Sequence, residues 1–320
     1  MDFLVSLAPM AGIADRAYRT TARRYGADCT TSEMISAKGL TYGDEKTAAL
    51  CSTAEKDAVP YGIQLFGAEP EFMQKAVIKL QEIGSNPDFI DLNMGCPVPK
   101  VTGTGAGAAL MRTPETAAEI VRACVAVSHV PITVKMRIGW DLEHINALEF
   151  AQLMEEAGAS ALTVHGRTKV QGYSGKVNLN YIWRVKASVK IPVIGNGDIS
   201  SPEEAKLMRD FTGVDGIAVG RGSYGSPWIF TQIKDYLKNG EYAPAPPIEE
   251  RLEIMSQQVK LAVSLKGEHT AMREARTQCA FYLKGFPGAA NFRKECSELT
   301  RFEDLEEIVG QIITQSKEIL

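Results

Sequence analysis

A cysteine follows directly after a short apolar run in the segment at residues 90–97, IDLNMGCP. Such a run is typical of a buried strand, and a β/α barrel carries its catalytic groups at the carboxyl ends of its strands. A cysteine thiol is mostly protonated at neutral pH, so it can donate a proton, and its thiolate can act as a nucleophile. Cys96 is therefore a candidate catalytic residue; the alternative is a small buried side chain.

Most of the other apolar runs are also followed by polar side chains or glycines, and the first run is followed by the segment at 9–11. In chain order these residues are Pro9, Met10, Ala11, Gln64, Asn93, Lys135, Arg137, His165, Arg167, Asn196, Gly197, Asp198, Gly220 and Arg221. Because the carboxyl ends of parallel barrel strands meet at one rim, we expect these residues to cluster there.

Two glycine-containing loops, GNGD at 195–198 and GRG at 220–222, follow the last two predicted strands. In β/α barrels the loops in these places commonly bind a phosphate, because glycine lets backbone N–H groups close on the anion. Arg221 adds a charged fork that suits phosphate. The pattern predicts a phosphate site, with tight turns between strand and helix as the alternative.

Three further side chains at the rim suggest chemistry. Lys135 ends an apolar strand, where it either pairs with a carboxylate or meets a negative ligand; beside a flavin it would stabilise the reduced, anionic ring. The amide of Gln64 can donate and accept, as the pyrimidine edge of a flavin requires. His165 has no second histidine or carboxylate at metal spacing, so we expect no metal and favour contact with a phosphate or substrate over a structural role.

Composition excludes several classes of protein. The chain has 320 residues, a net charge of −4 and no apolar run of 18 residues, so we expect no membrane span. Its six cysteines form no Cys-x-x-Cys pair, which argues against zinc, an iron–sulfur cluster or a disulfide framework. No basic stretch precedes the first apolar run, so no signal peptide is predicted. We expect a cytoplasmic monomer.

The first 240 residues alternate short apolar runs with longer amphipathic stretches. The predicted strands are 5–8, 28–31, 62–65, 89–92, 132–135, 161–164, 192–194 and 216–219, and the clearest helices are 69–83, 114–127, 144–157 and 202–211. Eight strands, most of them followed by a helical stretch, predict an α/β fold of the (β/α)₈ TIM-barrel type, with the barrel at residues 1–241.

The pattern changes at residues 242–247, YAPAPP. Three prolines in four residues predict a stiff linker with few contacts shared across it. Residues 248–320 show no strand pattern; 251–265 and 302–319 look helical, and GFPG at 285–288 interrupts a helix. We expect a C-terminal α-helical bundle domain of about four helices. Residues 241–320 contain 10 basic and 13 acidic residues, so RNA binding there would need a local cationic patch.

A glycine-rich stretch, GTGAGA at 103–108, formally fits the dinucleotide fingerprint G-x-G-x-x-A. That fingerprint requires a strand before it and a helix after it. Here a proline-containing loop precedes it, so we interpret the stretch as a mobile loop over the active site.

Together these motifs resemble the tRNA-dihydrouridine synthases over nearly the whole chain. The matching segments are LAPMAG at 7–12, TSEM at 31–34, LNMGCP at 92–97 with Lys100, KMR at 135–137, HGRT at 165–168, GNGD at 195–198, GRG at 220–222 and YLKG at 282–285. The chain departs from the family pattern at 102–104, which lacks a Lys-Asn pair, and at 273–276, where Glu274 stands between two arginines.

The resemblance implies an FMN-dependent barrel that takes its electrons from NADPH and acts on tRNA. By it, FMN contacts Pro9, Met10, Ala11, Gln64, Lys135, Asn196, Gly197, Asp198, Gly220 and Arg221. The general acid is Cys96, and Asn93, Lys100, Arg137, His165 and Arg167 surround the target uracil or the flavin. The helical domain helps to hold tRNA, for which the sequence offers Arg273, Arg276 and Lys284.

The predicted reaction is reduction of a uridine C5=C6 bond to 5,6-dihydrouridine. Two alternatives stay open at this stage. One is a flavin barrel that reduces a free small molecule such as a pyrimidine or an enone. The other is a flavin-free phosphate-binding barrel of the aldolase type, in which Lys135 would form a Schiff base.

Overall fold

Eight parallel strands form a closed barrel in the computed structural model, which describes residues 3–51 and 60–319. Each strand pairs with the next along the chain, and the eighth pairs with the first. The strands are β1 (Leu4–Leu7), β2 (Cys29–Ser36), β3 (Tyr61–Phe66), β4 (Phe89–Met94), β5 (Ile132–Arg137), β6 (Ala161–His165), β7 (Val193–Asn196) and β8 (Gly216–Val219). The TIM-barrel prediction is confirmed.

Helices surround the barrel. They are α1 (Arg16–Arg24), α2 (Ala37–Thr41), α3 (Glu45–Leu50), α4 (Pro70–Glu82), α5 (Pro99–Thr102), α6 (Pro114–Val125), α7 (Ala147–Glu156), α8 (Leu179–Ser188), α9 (Pro202–Thr212) and α10 (Ile229–Asn239), with short 3₁₀ helices at Gly107–Arg112 and Arg221–Ser223. The four barrel helices predicted from the sequence are all present. Their apolar faces cover the outside of the strands, as the buried core shows.

Four helices follow the barrel: α11 (Ile248–Lys266), α12 (Glu268–Tyr282), α13 (Ala289–Cys296) and α14 (Phe302–Ile319). The predicted break at 285–288 is a turn, in which Gly285 and Gly288 have φ of 82° and 78°. The division into domains at 241 and 248 stays a prediction, and residues 1, 2, 52–59 and 320 of those domains lie outside the described residues.

The helical region packs closely on the barrel. Its apolar cluster includes Trp228 and the partly buried Tyr25, both from the barrel. The Lys266 ammonium on α11 pairs with Asp15, the N-cap of α1, and with Glu274 on α12. The expectation of few contacts between the barrel and the helical region is wrong. A proline-rich linker constrains only the path of the chain between them, and the side chains on α11 and α12 determine how closely these helices pack against α1.

In the described part of the chain, no helix is long and apolar enough to cross a membrane. The same residues contain no group of three or more histidine, cysteine, aspartate or glutamate side chains that could hold a metal ion.

Replacing Lys266 with methionine should destabilise the protein. Methionine keeps the apolar stem but leaves the largely buried carboxylate of Asp15, which is 10% exposed, without its cation. We expect a loss of about 1–3 kcal/mol in the free energy of unfolding, measured by urea denaturation. Lys260→Met, at an exposed position of the same helix, is the control and should change it by less than about 0.5 kcal/mol. Equal effects of the two substitutions would contradict a role for this ion pair.

Candidate active site

The carboxyl ends of all eight strands surround one cavity of about 710 Å³, a volume typical of ligand sites. Most of the predicted site residues line it: Pro9, Met10, Ala11, Gln64, Asn93, Cys96, Lys135, Arg137, His165, Asn196, Gly197, Asp198, Gly220, Arg221 and Lys284. Closure of the barrel therefore brings together residues from Pro9 to Arg221, and the helical region adds Lys284.

Cys96 stands on a turn that hydrogen bonds hold from both sides. The Asn93 side-chain Oδ1 accepts from the backbone N–H of Gly95 at 3.1 Å and of Cys96 at 2.9 Å. The Cys96 carbonyl accepts from the Ala108 N–H at 3.0 Å. Cys96 is partly exposed to the cavity, whereas the five other cysteines are buried. Among the cysteines, then, Cys96 is the one whose sulfur can meet a ligand.

The glycine-rich stretch at 103–108 supports this turn and is not a loop over the cavity, as we had expected. It joins α5 to the following 3₁₀ helix, and Ala106 and Ala108 are buried. A Cβ on Gly107 would lie 2.9 Å from the Cys96 carbonyl oxygen, and the φ of Gly107 is 60°. The glycine lets the chain pass closely beneath the cysteine, which explains the motif without a dinucleotide.

Two basic side chains from β5 form the floor and wall of the cavity. The Lys135 Nζ donates to the Asn196 Oδ1 at 3.0 Å. Burial, with Arg137 acting in the same direction, lowers the pKa of Lys135 to about 8, so most of it is charged at neutral pH. Arg137, 2% exposed, donates from Nε to the Gly95 carbonyl at 2.7 Å. Both cations are held by neutral oxygens, which leaves positive charge directed at the cavity.

His165 is neutral in this setting. Burial, reinforced by the neighbouring cations Lys135 and Arg137, lowers its pKa well below the ordinary value. Its Nε2 lies 3.3 Å from Nη1 of Arg167. Because a guanidinium can only donate, this nitrogen is the acceptor and the ring proton sits on Nδ1.

The loops after β7 and β8 are packed tightly against each other. Gly197 and Asp198 have φ of 113° and 51°, a left-handed region of the backbone that side chains other than glycine rarely adopt. A Cβ on Gly222 would lie 2.1 Å from the carbonyl oxygen of Ile199. The Arg221 side chain is half exposed, and its Nη2 lies 3.6 Å from Oδ1 of Asp198. The arrangement is suited to an anion.

Four predicted residues do not line the cavity. Arg167 is 2% exposed and donates to both carboxylate oxygens of Asp198 at 2.7 Å, so it supports the β7 loop from behind rather than facing a ligand. Lys100 is exposed on α5, and Arg273 is exposed on α12. Arg276 donates from Nε to the Leu299 carbonyl at 2.8 Å.

Several cavity residues were not predicted from the sequence: Met34, Tyr173, Glu204, Tyr224, Trp228 and Gln232. Tyr173 is 58% exposed, and its ring centroid lies 4.5 Å from the Arg221 guanidinium. It belongs to the loop between β6 and α8, which carries no strand-end signal. The available clue was an aromatic residue beside Gly172 in the segment that follows HGRT.

A comparison with protein-family models matches residues 6–318 to the model described as Dihydrouridine synthase (Dus). The chain belongs to the dihydrouridine synthase family. The match spans both the barrel and the four C-terminal helices.

Curated relatives agree with this membership. The chain is 41% identical over 289 residues to a probable tRNA-dihydrouridine synthase of Rickettsia bellii, covering 90% of this chain and 88% of that protein. It is 39% identical over 305 residues to tRNA-dihydrouridine synthase B of Pseudomonas putida, covering 95% and 88%.

Among solved structures, histamine dehydrogenase from Rhizobium sp. 4-9 superposes with a TM-score of 0.56 at 12% identity, covering 81% of this chain. The chain spans 48% of the length of that structure. At this identity the likeness concerns the fold alone.

Gly197→Ala should destabilise the protein strongly. The new Cβ would lie 2.4 Å from Val177 Cγ2 and 2.7 Å from His165 Cδ2, at a φ of 113°. We expect a loss of about 2–4 kcal/mol in the free energy of unfolding. Gly213→Ala is the control, because its φ is 66° and nothing lies within 4 Å of its Cβ; backbone strain alone should cost about 1 kcal/mol there. A loss at Gly197 no larger than at Gly213 would show that the close packing of the β7 loop has no energetic weight.

Proposed function

We propose that this protein reduces a uridine C5=C6 bond in tRNA to 5,6-dihydrouridine, with FMN as bound cofactor, NADPH as reductant and Cys96 as general acid. The observation that carries the proposal is that a thiol on a fixed turn, a partly buried lysine and an anion-suited pair of loops open into one cavity. Family membership and the names of the curated relatives support it.

The cavity residues fit FMN. Gly197, Gly220 and Arg221 are suited to the phosphate, and Pro9, Met10, Ala11, Gln64, Lys135, Asn196 and Asp198 to the remainder of the molecule, with His165 beside them. A Cβ on Gly220 would come no nearer than 3.7 Å to its surroundings, so this glycine leaves open space at the loop. FMN, when bound, accepts a hydride from NADPH and supplies one to the substrate.

Lys135 supplies positive charge at the floor of the cavity, where it would stabilise a reduced, anionic flavin. The Gln64 amide uses one N–H on Asp91 and one lone pair on Asn93, and a primary amide has a second of each. It can therefore also bind a ring edge that both donates and accepts.

The substrate roles fall to three further cavity side chains, on and just after β4 and at the end of β5. Cys96 holds the proton that goes to C5 of the uracil ring, and Asn93 and Arg137 polarise its carbonyl groups as negative charge develops. The target base has to leave its stack to reach this depth. Lys284, exposed at the mouth, and Lys100, Arg273 and Arg276 are the proposed contacts around the base and along the RNA.

The alternatives from the sequence now have less support. An aldolase-type barrel using Lys135 conflicts with membership in the dihydrouridine synthase family. A flavin enzyme for a free small molecule would not need Lys284 of the helical region at the cavity mouth. Mapping of dihydrouridine in tRNA from a strain lacking this gene tests the proposal, and unchanged modification would contradict it.

Cys96→Ala should abolish most dihydrouridine formation while leaving flavin binding and NADPH oxidation intact. Loss of a general acid costs about 10²–10⁴-fold in rate, and Cys96 lies on the turn after β4, not in the loops after β7 and β8. The measurement is single-turnover reduction of unmodified tRNA by the pre-reduced enzyme. Cys124→Ala, which removes a buried thiol outside the cavity, should retain the wild-type rate. Equal rates for the two variants would rule out Cys96 as the acid.

Arg273→Glu should weaken tRNA binding and leave NADPH oxidation unchanged. Arg273 is exposed and Glu274 is engaged by Lys266, so the charge at 273 is available to a phosphate. We expect a rise of several-fold in KM for tRNA and a log–log salt slope reduced by about 1. Lys317→Glu, an exposed position on α14, makes the same charge change as a control. Equal KM values for both variants would remove Arg273 from the RNA interface.

A further inference from the structure

A buried carboxylate lies directly beneath the cavity and has no role in the chemistry proposed above. Asp91 on β4 is 4% exposed and does not line the cavity. In the barrel register it lies between Gln64 of β3 and Thr133 of β5. It accepts from Gln64 Nε2 and from Thr133 Oγ1, each at 2.7 Å. Burial of a carboxylate costs free energy unless hydrogen bonds offset the loss of water, as these two bonds do in part.

Hydrogen bonds connect Asp91 to the turn that carries Cys96. Gln64 receives the Asn93 Nδ2 at 2.8 Å on its Oε1, and Asn93 in turn accepts the N–H of Cys96 at 2.9 Å on its Oδ1. The path runs through two primary amides, and each amide has one donating end and one accepting end.

The direction of this path follows from its first member. An ionised carboxylate can only accept, so Gln64 has to turn its NH₂ toward Asp91 and its oxygen toward Asn93. Asn93 must then turn its NH₂ toward Gln64, which leaves its oxygen for the turn. With either amide reversed, two donors or two acceptors would face each other in a buried site.

We propose that Asp91 is a positioning residue for Cys96: as an acceptor anchor, it orients Gln64 and Asn93 so that the Asn93 oxygen holds the cysteine turn. The proposal rests on the proposed function only for the chemical role of the thiol. The orientation itself is a property of the free protein and can be tested without tRNA, flavin or NADPH.

Substitutions at position 91 can distinguish a hydrogen-bonding role of Asp91 from a role in which its side chain only fills space. Asparagine at 91 can present either its oxygen or its NH₂ to Gln64, whereas leucine has similar bulk and presents neither. We expect Asp91→Asn to keep the turn in place and Asp91→Leu to loosen it. Asn93→Asp is a second perturbation, because a carboxylate at 93 places an acceptor against the Gln64 oxygen for as long as Asp91 fixes that amide.

The decisive comparison is between two double variants that carry the same charges. In Asp91→Asn/Asn93→Asp, Gln64 can reverse: its oxygen accepts from Asn at 91, its NH₂ donates to Asp at 93, and Asp at 93 still accepts from Cys96. In Asp91→Leu/Asn93→Asp no such donor exists at 91. Only the former should recover an ordered turn.

The readouts are the rate at which iodoacetamide alkylates Cys96, identified by peptide mass spectrometry, and the melting temperature. The five other cysteines are buried, so Cys96 is the thiol that reacts in the native protein. We expect Asp91→Leu to label Cys96 roughly ten-fold faster than Asp91→Asn, as when one hydrogen bond no longer holds the turn. The leucine double variant should likewise label roughly ten-fold faster than the asparagine one and melt several degrees lower.

Two results would overturn the proposal. One is equal labelling and melting of the asparagine and leucine variants, in both the single and the double series, which would make Asp91 a filler of space. The other is a double variant Asp91→Asn/Asn93→Asp no better folded than Asn93→Asp alone. If the variants lose tRNA reduction while labelling and melting change as expected, the proposal for Asp91 stands. If labelling and melting change as expected but the wild-type protein itself never modifies tRNA, only the proposed function is contradicted.

Discussion

Along β4, apolar and polar side chains alternate, and the cavity depends on that alternation. The hydrophobic core that includes the helices around the barrel contains Ile90, Leu92 and Met94, each at most 1% exposed, whereas Asn93 lines the cavity. The side-chain period of a strand is two, so a shift of one residue would exchange the two faces. The closed barrel prevents such a shift, because β4 is paired on both edges, with β3 and with β5.

Burial of charge is the consequence of building a site inside a barrel. Desolvation lowers the pKa of Lys135 to about 8 and that of Arg137 to about 10, and it raises the pKa of Asp91. For Lys135, a folded-state pKa below the unfolded value means that folding disfavours the charged form. This cost to stability is full below about pH 8, falls as the pH rises beyond that, and is gone above the ordinary value of 10.5. The site thus gives up some stability at neutral pH to keep a cation at its floor.

The helical region also supports the cavity, through contacts with α1 and with the loop after β1. Lys266 of this region pairs with Asp15, the N-cap of α1. Gln278 Nε2 lies 3.4 Å from the carbonyl oxygen of Gly12. The residues just before Gly12, at 9–11, line the cavity. From the barrel side, Glu33 Oε1 accepts the N–H of the same glycine at 2.5 Å. A loop proposed to contact the cofactor is therefore supported by both parts of the chain, and changes in the helical region can reach the cavity through it.

Local patterns were enough to predict the eight strands, the break at 285–288 and about half of the residues that line the cavity, because strand ends converge in any closed parallel barrel. The same patterns said nothing of Tyr173, placed Arg167 at a ligand when it supports Asp198, and treated 103–108 as a loop. They also missed the contacts of α11 and α12 with the barrel. Each of these depends on which side chains meet across distant elements, and hydrophobic periodicity and turn chemistry report only on near neighbours in the chain. The orientation of Gln64 and Asn93 is the clearest case, since an amide has no preferred direction until a third residue, Asp91, lies beside it in space.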